Sequence, residues 1–204
     1  MELILASSSP YRRALLERLA LPFSVDPPAL DETPQAGERP RPLALRLARA
    51  KAAAVAARRP GAVVIGSDQV ATLDGMTPIG KPGGLAEARR QLAAASGRSL
   101  QFHTAFCVAA PGRTPIVECV DVVVRYRDLG AAEIDRYLTL EQPFDCAGSA
   151  KAEGLGIALL AAIDSDDPTA LIGLPLIRLV AVLRSVGIDP LAAGRSGVRR
   201  VNRP

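Results

Sequence analysis

Ala62-Val63-Val64-Ile65-Gly66-Ser67-Asp68-Gln69 is the stretch whose reading decides the fold. Four consecutive apolar residues mark a strand buried on both faces, the habit of strands inside α/β sheets. The run gives way to Gly66-Ser67-Asp68-Gln69, and polar residues at the end of such a strand are commonly site residues.

Upstream, Glu2–Ala6 reads as a first strand, and Ser9-Pro10 supplies an N-cap followed by proline at the first helical position. That helix is expected to run to about Leu19, with Leu15, Leu16 and Leu19 on one face. Phe23–Val25 suits a short strand, and residues 27–40 form a proline-rich loop carrying Asp31-Glu32-Thr33-Pro34. A second helix over about Pro42–Arg58 places Leu43, Leu47, Ala50 and Ala54 inward and contains Lys51. Downstream, a helix over Ala86–Ala95 stops at Ser96-Gly97. Arg98–Ala109 and Ile116–Arg127 form a long hairpin around Pro111-Gly112. Its alternation puts Leu100, Phe102, Phe106 and Val108 on one face with Val120, Val122, Val124 and Tyr126, and His103 on the other. A helix over Ala131–Leu140, a glycine-rich loop, a strand over Ile157–Ile163 and a last helix from about Pro175 to Gly187 complete an α/β protein with a mixed sheet.

The chain has 204 residues, 49% of them hydrophobic but only 3% aromatic, so the core is expected to consist of Leu, Val, Ile and Ala. Cys107, Cys119 and Cys146 are odd in number and lack CxxC spacing, which suits reduced thiols in a cytoplasmic protein; all three read as small apolar core residues. Leu3-Ile4-Leu5-Ala6 has neither the basic start nor the length of a signal peptide. No stretch approaches the roughly 20 apolar residues of a membrane span. The net charge of +4 resides in residues 191–204, which hold Arg195, Arg199, Arg200, Arg203 and no acid. Residues 1–190 are expected to form a single domain, and 191–204 a disordered basic tail, solvated rather than bound to nucleic acid.

Three lysines, Lys51, Lys81 and Lys151, stand against 22 arginines, each in or beside a segment suited to chemistry. Ser7-Ser8-Ser9-Pro10-Tyr11-Arg12-Arg13 joins a strand to a helix N-terminus, where free N–H groups and the helix dipole favour an anion. It reads as a phosphate cradle, the alternative being an ordinary cap with two surface arginines. Asp31-Glu32, Asp68 and Glu153 offer hard oxygen ligands from separate segments, which suits Mg²⁺ or Mn²⁺ held together with substrate phosphates; isolated loop acids of this kind are otherwise simply solvated. A single histidine excludes a multi-histidine zinc site. The missing G-x-S-x-G elbow argues against a serine triad, and the missing GxxxxGK[ST] against a Walker-type ATPase.

The segments Ser7 to Arg13, Asp31 to Pro34, Lys51, Ile65 to Gln69, Gly80-Lys81-Pro82, Ala147 to Gly154 and Gly173-Leu174-Pro175 resemble the Maf-like nucleotide pyrophosphatases in identity and order. The resemblance implies a fold related to the inosine-triphosphate pyrophosphatases, two lobes around a cleft, and often a homodimer. It implies metal-dependent hydrolysis of a nucleoside triphosphate, a small-molecule substrate, to monophosphate and pyrophosphate. In that light Asp68 matches the proton acceptor that activates water. Ser7, Arg12, Arg13, Lys51 and Lys81 match the phosphate-binding set, and Glu32 the metal-linked acid, with Glu32 and Asp68 holding the ion. Tyr11, Gln69 and Glu153 match the positions that set substrate choice. Asp68-Gln69 and Lys151-Ala152-Glu153-Gly154 resemble the branch acting on 7-methyl-GTP, whose cationic base suits an aromatic face and a carboxylate. A dTTP/UTP or other non-canonical nucleotide pyrophosphatase, and a non-catalytic nucleotide-binding regulator of cell division, are the alternatives.

Overall fold

The computed structural model describes residues 1–192. A six-stranded sheet in the order β2-β1-β3-β4-β5-β6 organises the chain. Its strands are β1 (Leu3–Ala6), β2 (Ser24–Val25), β3 (Val63–Thr72), β4 (Ser99–Ala109), β5 (Ile116–Tyr126) and β6 (Leu160–Asp164). β1 lies parallel to β2 and β3, whereas β3 to β6 run antiparallel, so the sheet is mixed. The helices are α1 (Pro10–Glu17), α2 (Pro40–Arg58), α3 (Leu85–Ala95), α4 (Ala131–Glu141) and α5 (Leu176–Ser185). Among the described residues no helix is long and apolar enough to cross a membrane. The Arg-rich end expected to be disordered lies almost wholly outside the described residues.

The two faces of the sheet are covered differently. α2 alone packs Leu43, Ala44, Leu47, Ala48, Ala52 and Val55 onto Ile4, Ala6, Val64, Val70, Ala105 and Cys107. On the opposite face, Leu15 and Leu16 of α1 and Leu179, Val182 and Leu183 of α5 cover Leu3, Leu5, Ile65 and Phe106. α3 and α4 cover Leu100, Phe102, Val122 and Val124. Each of these fully buried Leu, Ile or Phe side chains contributes about 1.5–3 kcal/mol.

Gly66 determines how closely α2 approaches. A Cβ there would stand 2.3 Å from the Ala48 carbonyl oxygen and 2.5 Å from the Ala52 nitrogen, so strand and helix meet backbone to backbone. The approach selects the face carrying Ala44, Ala48, Ala52 and Val55 as the innermost, and leaves the expected Ala50 and Ala54 only half-buried. It also sets Lys51 beside the strand that carries Asp68.

Three further expectations are corrected. β3 does not end at Gly66 but continues to Thr72 in register with β4, with Asp68 opposite Ala105, so the polar residues are mid-strand. They are tolerated there because each finds a partner: the Ser67 hydroxyl has the carbonyls of Ala105 (2.8 Å) and Gly173 (3.1 Å) within reach, and Gln69 Nε2 donates to the Ala170 and Leu171 carbonyls, both at 2.9 Å. Residues 155–159 form a short 3₁₀ turn ahead of β6 rather than part of the strand. Cys107 is buried, but Cys119 and Cys146 are only half-buried, and all three are free thiols.

Candidate active site

A cleft of about 490 Å³ opens beside β3, a size suited to a small-molecule ligand. Its lining includes Ser7, Tyr11, Arg12, Glu32, Lys51, Asp68, Gln69, Lys81 and Glu153, which the chain contributes from six separated segments. Arg13 is not among them. Successive helical residues point about 100° apart, and Arg13 turns outward to pair with Glu17 one turn along at 2.9 Å. Of the two arginines expected in the cradle, Arg12 lines the cleft and Arg13 does not.

At the floor of the cleft Lys51 and Asp68 are both only 6% exposed. Lys51 Nζ donates to Asp68 Oδ1 at 2.7 Å and pairs with Glu32 Oε1 at 2.9 Å, while Glu32 remains about half-exposed on its loop. Two carboxylates thus converge on one ammonium. A buried ion pair of this kind contributes little net stability but is costly to break, since a lone buried charge would remain.

The turn between β1 and α1 forms the adjoining wall. Ser9 caps α1 by accepting from Arg12 N–H at 3.4 Å, and Ser7 Oγ accepts from Ser9 N–H at 3.2 Å. Arg12 Nε donates to the Gly173 carbonyl at 3.0 Å, and Nη1 to Ser7 Oγ at 3.4 Å. Burial pulls the Arg12 guanidinium below its ordinary pKa, a tendency that the charges of Asp68 and Glu32 oppose. The Gly173 loop is held in turn by Asp167, which is fully buried; its Oδ2 accepts from the N–H groups of Ile177 (2.7 Å) and Arg178 (3.2 Å) at the start of α5. Nothing local in the sequence around Asp167 announced that task.

Lys81 is exposed at the cleft, on a segment tied down by Gln91 of α3. Gln91 Nε2 donates to the Gly80 carbonyl at 3.2 Å, and its Oε1 accepts from Ser149 Oγ at 2.6 Å. One side chain therefore couples the Lys81 segment to the glycine-rich loop. Gln69, expected among the substrate-choice positions, has its amide nitrogen committed to the Ala170 and Leu171 carbonyls and to Thr104 Oγ1 at 2.9 Å. Two carbonyl acceptors require the NH₂ on that side, which leaves Oε1 as its uncommitted polar atom.

The far wall carries Tyr11, Asp145, Cys146 and Glu153. The Tyr11 hydroxyl donates to Asp145 Oδ1 at 3.2 Å. Lys151 Nζ stands 5.7 Å from the Tyr11 ring centroid and pairs with Glu141 Oε1 at 3.1 Å. Glu141 Oε2 also accepts from Leu155 N–H at 2.7 Å, and the Tyr137 hydroxyl accepts from Lys151 N–H at 3.1 Å. The loop bearing Glu153 is thus pinned to the end of α4. Its glycines permit this closeness: a Cβ on Gly156 would lie 2.6 Å from Lys151 backbone atoms.

One group of metal-ligating type is present among the described residues, and it lies outside the cleft lining. On the α2 side of the hairpin His103 Nδ1 is 2.7 Å from Asp121 Oδ1, with Cys119 Sγ 3.8 Å from the same oxygen. Arg41 also approaches Asp121, at 3.5 Å. Burial, reinforced by Asp121, pushes the Cys119 thiol up to about 12. A nitrogen–sulfur–oxygen donor set does not suit Mg²⁺ or Mn²⁺, which take oxygen ligands.

Relatives match this chain over nearly its whole length and theirs. It is 60% identical over 190 residues to a 7-methyl-GTP pyrophosphatase of Bordetella pertussis, covering 93% of this chain and 94% of that one. A 7-methyl-GTP pyrophosphatase of Paraburkholderia xenovorans is 60% identical (94% and 95% covered), and one of Methylobacillus flagellatus 57% identical (92% and 97% covered). Among solved structures, a HAM1 protein from Coxiella burnetii superposes with a TM-score of 0.52 at 19% identity, covering 91% of this chain and 99% of that one, which shows a shared fold. The family model for Maf-like proteins matches residues 2–186, and on that match and these relatives the chain belongs to the Maf-like family.

Proposed function

We propose that the protein hydrolyses 7-methyl-GTP to 7-methyl-GMP and pyrophosphate, with Asp68 as proton acceptor. The observation that carries this reading is the buried Asp68–Lys51 pair at the floor of a cleft with a helix N-terminus and Arg12 on one side and an aromatic ring with carboxylates on the other. The activity in the names of the relatives described above supports the same substrate.

Hydrolysis of the α–β anhydride needs a water deprotonated as it attacks phosphorus, and cations where charge gathers on the phosphoryl oxygens. Asp68 Oδ1 is occupied by Lys51, so among the described residues Oδ2 is the oxygen left to take the proton. Lys51 holds the carboxylate in its orientation. Arg12, Lys81 and the Ser7–Ser9 turn bind the phosphate chain, with guanidinium and ammonium groups offsetting its charge. Glu32 and Asp68 fit a Mg²⁺ or Mn²⁺ ion, because their oxygens already converge on one cation and are hard donors. Such an ion would supply charge neutralisation of the phosphate oxygens.

At the far wall Tyr11 offers a π-face and Glu153 a negative charge to the cationic methylated base. Gln69, on β3 in the same cleft, has its amide nitrogen committed, which leaves its carbonyl oxygen for a ligand. The test is a nucleotide panel with Mg²⁺ or Mn²⁺, scored for pyrophosphate against orthophosphate. Preferential release of pyrophosphate from 7-methyl-GTP is expected; preference for dTTP or UTP overturns the substrate, and release of orthophosphate overturns the reaction.

A further inference from the structure

The acids of the cleft fall into two kinds. Glu32 and Asp68 both pair with Lys51, and Glu141, just behind the far wall, pairs with Lys151. Asp145 and Glu153 line the same cleft, yet among the described residues neither has a lysine or arginine within 4.0 Å. Lys151, the ammonium beside this wall, is paired with Glu141 at 3.1 Å, so Asp145, Glu153 and Glu141 outnumber it and the wall stays net negative, which disfavours a triphosphate and favours a ligand end that is positive.

Asp145 is placed for that purpose. Its Oδ1 accepts the Tyr11 hydroxyl proton at 3.2 Å and lies 3.5 Å from Cys146 Sγ. Burial above all, together with the Cys146 and Asp145 contacts, raises the Tyr11 phenol well above its ordinary pKa, so it remains an O–H donor. Burial, with the charges of Asp145 and Glu153 adding to it, pushes the Cys146 thiol up to about 11, so the wall between the two acids is a neutral thiol rather than a third anion. A phenol that donates to a carboxylate gains electron density in its ring, which strengthens attraction for a cation stacked on the face.

We propose that Asp145 is a specificity-determining residue: it orients Tyr11 through the phenolic hydroxyl and joins Glu153 in supplying negative charge that selects an N7-methylated, cationic purine over the neutral one. The proposal rests on reading the cleft as a 7-methyl-GTP site. Asp145→Asn retains an oxygen acceptor for Tyr11 while removing the charge, and Tyr11→Phe removes the hydroxyl while retaining the ring. kcat/KM is measured for 7-methyl-GTP and for GTP on each variant, on the double variant, and on Glu153→Gln. Because both nucleotides meet the same preparation, the folded fraction cancels in their ratio.

Asp145→Asn is expected to lower the 7-methyl-GTP to GTP ratio about tenfold, through KM for the methylated nucleotide rather than kcat. Combining it with Tyr11→Phe is expected to lower the ratio by less than the product of the single effects, because the two residues act as a unit. An unchanged ratio in Asp145→Asn beside a lowered one in Glu153→Gln overturns the role of Asp145. Equal losses on both nucleotides in Asp145→Asn do the same, since a merely structural residue behaves that way. A wild-type protein without preference for 7-methyl-GTP overturns the underlying reading, and the proposal with it.

Discussion

The two ends of the cleft are built by opposite means. The floor is regular structure: Lys51 comes from the middle of α2 and Asp68 from the middle of β3, both buried, brought together where Gly66 lets helix and strand touch. The far wall is loop: Asp145 and Glu153 lie between α4 and β6, exposed, and kept in place by side chains reaching over long sequence distances from Tyr11, Gln91, Tyr137 and Glu141. At the floor Lys51, Asp68 and Glu32 are paired with one another, whereas at the wall neither Asp145 nor Glu153 has a lysine or arginine within 4.0 Å among the described residues. Chemistry at phosphorus needs a rigid, preorganised group, which paired elements supply. Choosing a base needs charge held in readiness for the ligand, which a pinned loop supplies at lower cost to the core.

That contrast is exposed first by Asp68→Asn. Loss of the proton acceptor is expected to lower kcat for pyrophosphate release by about 10²–10⁴-fold, while Lys51 keeps Glu32 as a partner and the fold persists. Retained single-turnover hydrolysis would break the assignment of the floor. Gly66→Ala is expected to force α2 off β3, costing about 1–3 kcal/mol in denaturant unfolding and lowering kcat as Lys51 moves from Asp68. An unchanged kcat would show that the close approach serves packing alone.

Glu141→Gln probes the wall. The Leu155 N–H first, and Lys151 next, hold the Glu141 carboxyl below its ordinary value of 4.5. A group with a lowered folded-state pKa contributes stability that is present above its unfolded pKa and lost as pH falls through the folded one. Wild type is therefore expected to melt above Glu141→Gln near neutrality, and the gap to close in acid below about pH 4. A gap that persists there would mean that packing rather than charge pins the loop. The smallest effect is expected from His103→Ala, on the hairpin face outside the cleft: less than about a twofold change in kcat/KM with Mg²⁺. A larger loss would bring the His103–Cys119–Asp121 group into the reaction and break the two-ended picture.

Much of the scaffold was legible because its signals are local. The β-hairpin shows in the alternation from Leu100 to Tyr126, and the start of α1 in Ser9-Pro10, where cap and proline occupy the positions that the sequence predicts. Ser7, Tyr11, Arg12, Glu32, Lys51, Asp68, Gln69, Lys81 and Glu153 were legible as motif residues and line the cleft, whereas Arg13 does not, because it turns outward once Arg12 faces the cleft. The length of β3 was hidden because Ser67, Asp68 and Gln69 look like a strand end until their partners, 17 to 106 residues away, are known. For the same reason Asp167, Gln91, Glu141 and Asp145 had no signal: each acts on a segment that only folding brings near.

The sequence by itself determined the mixed α/β architecture, the family and the set of charged residues available for the reaction, because periodicity, caps and motif order are properties of neighbours along the chain. The tertiary structure alone decided which charges are compensated. Lys51 serves two carboxylates, Lys151 pairs with Glu141, and among the described residues Asp145 and Glu153 have no ion pair within 4.0 Å. Coulomb energy depends on distance in space and on burial, and neither is written in the order of the residues.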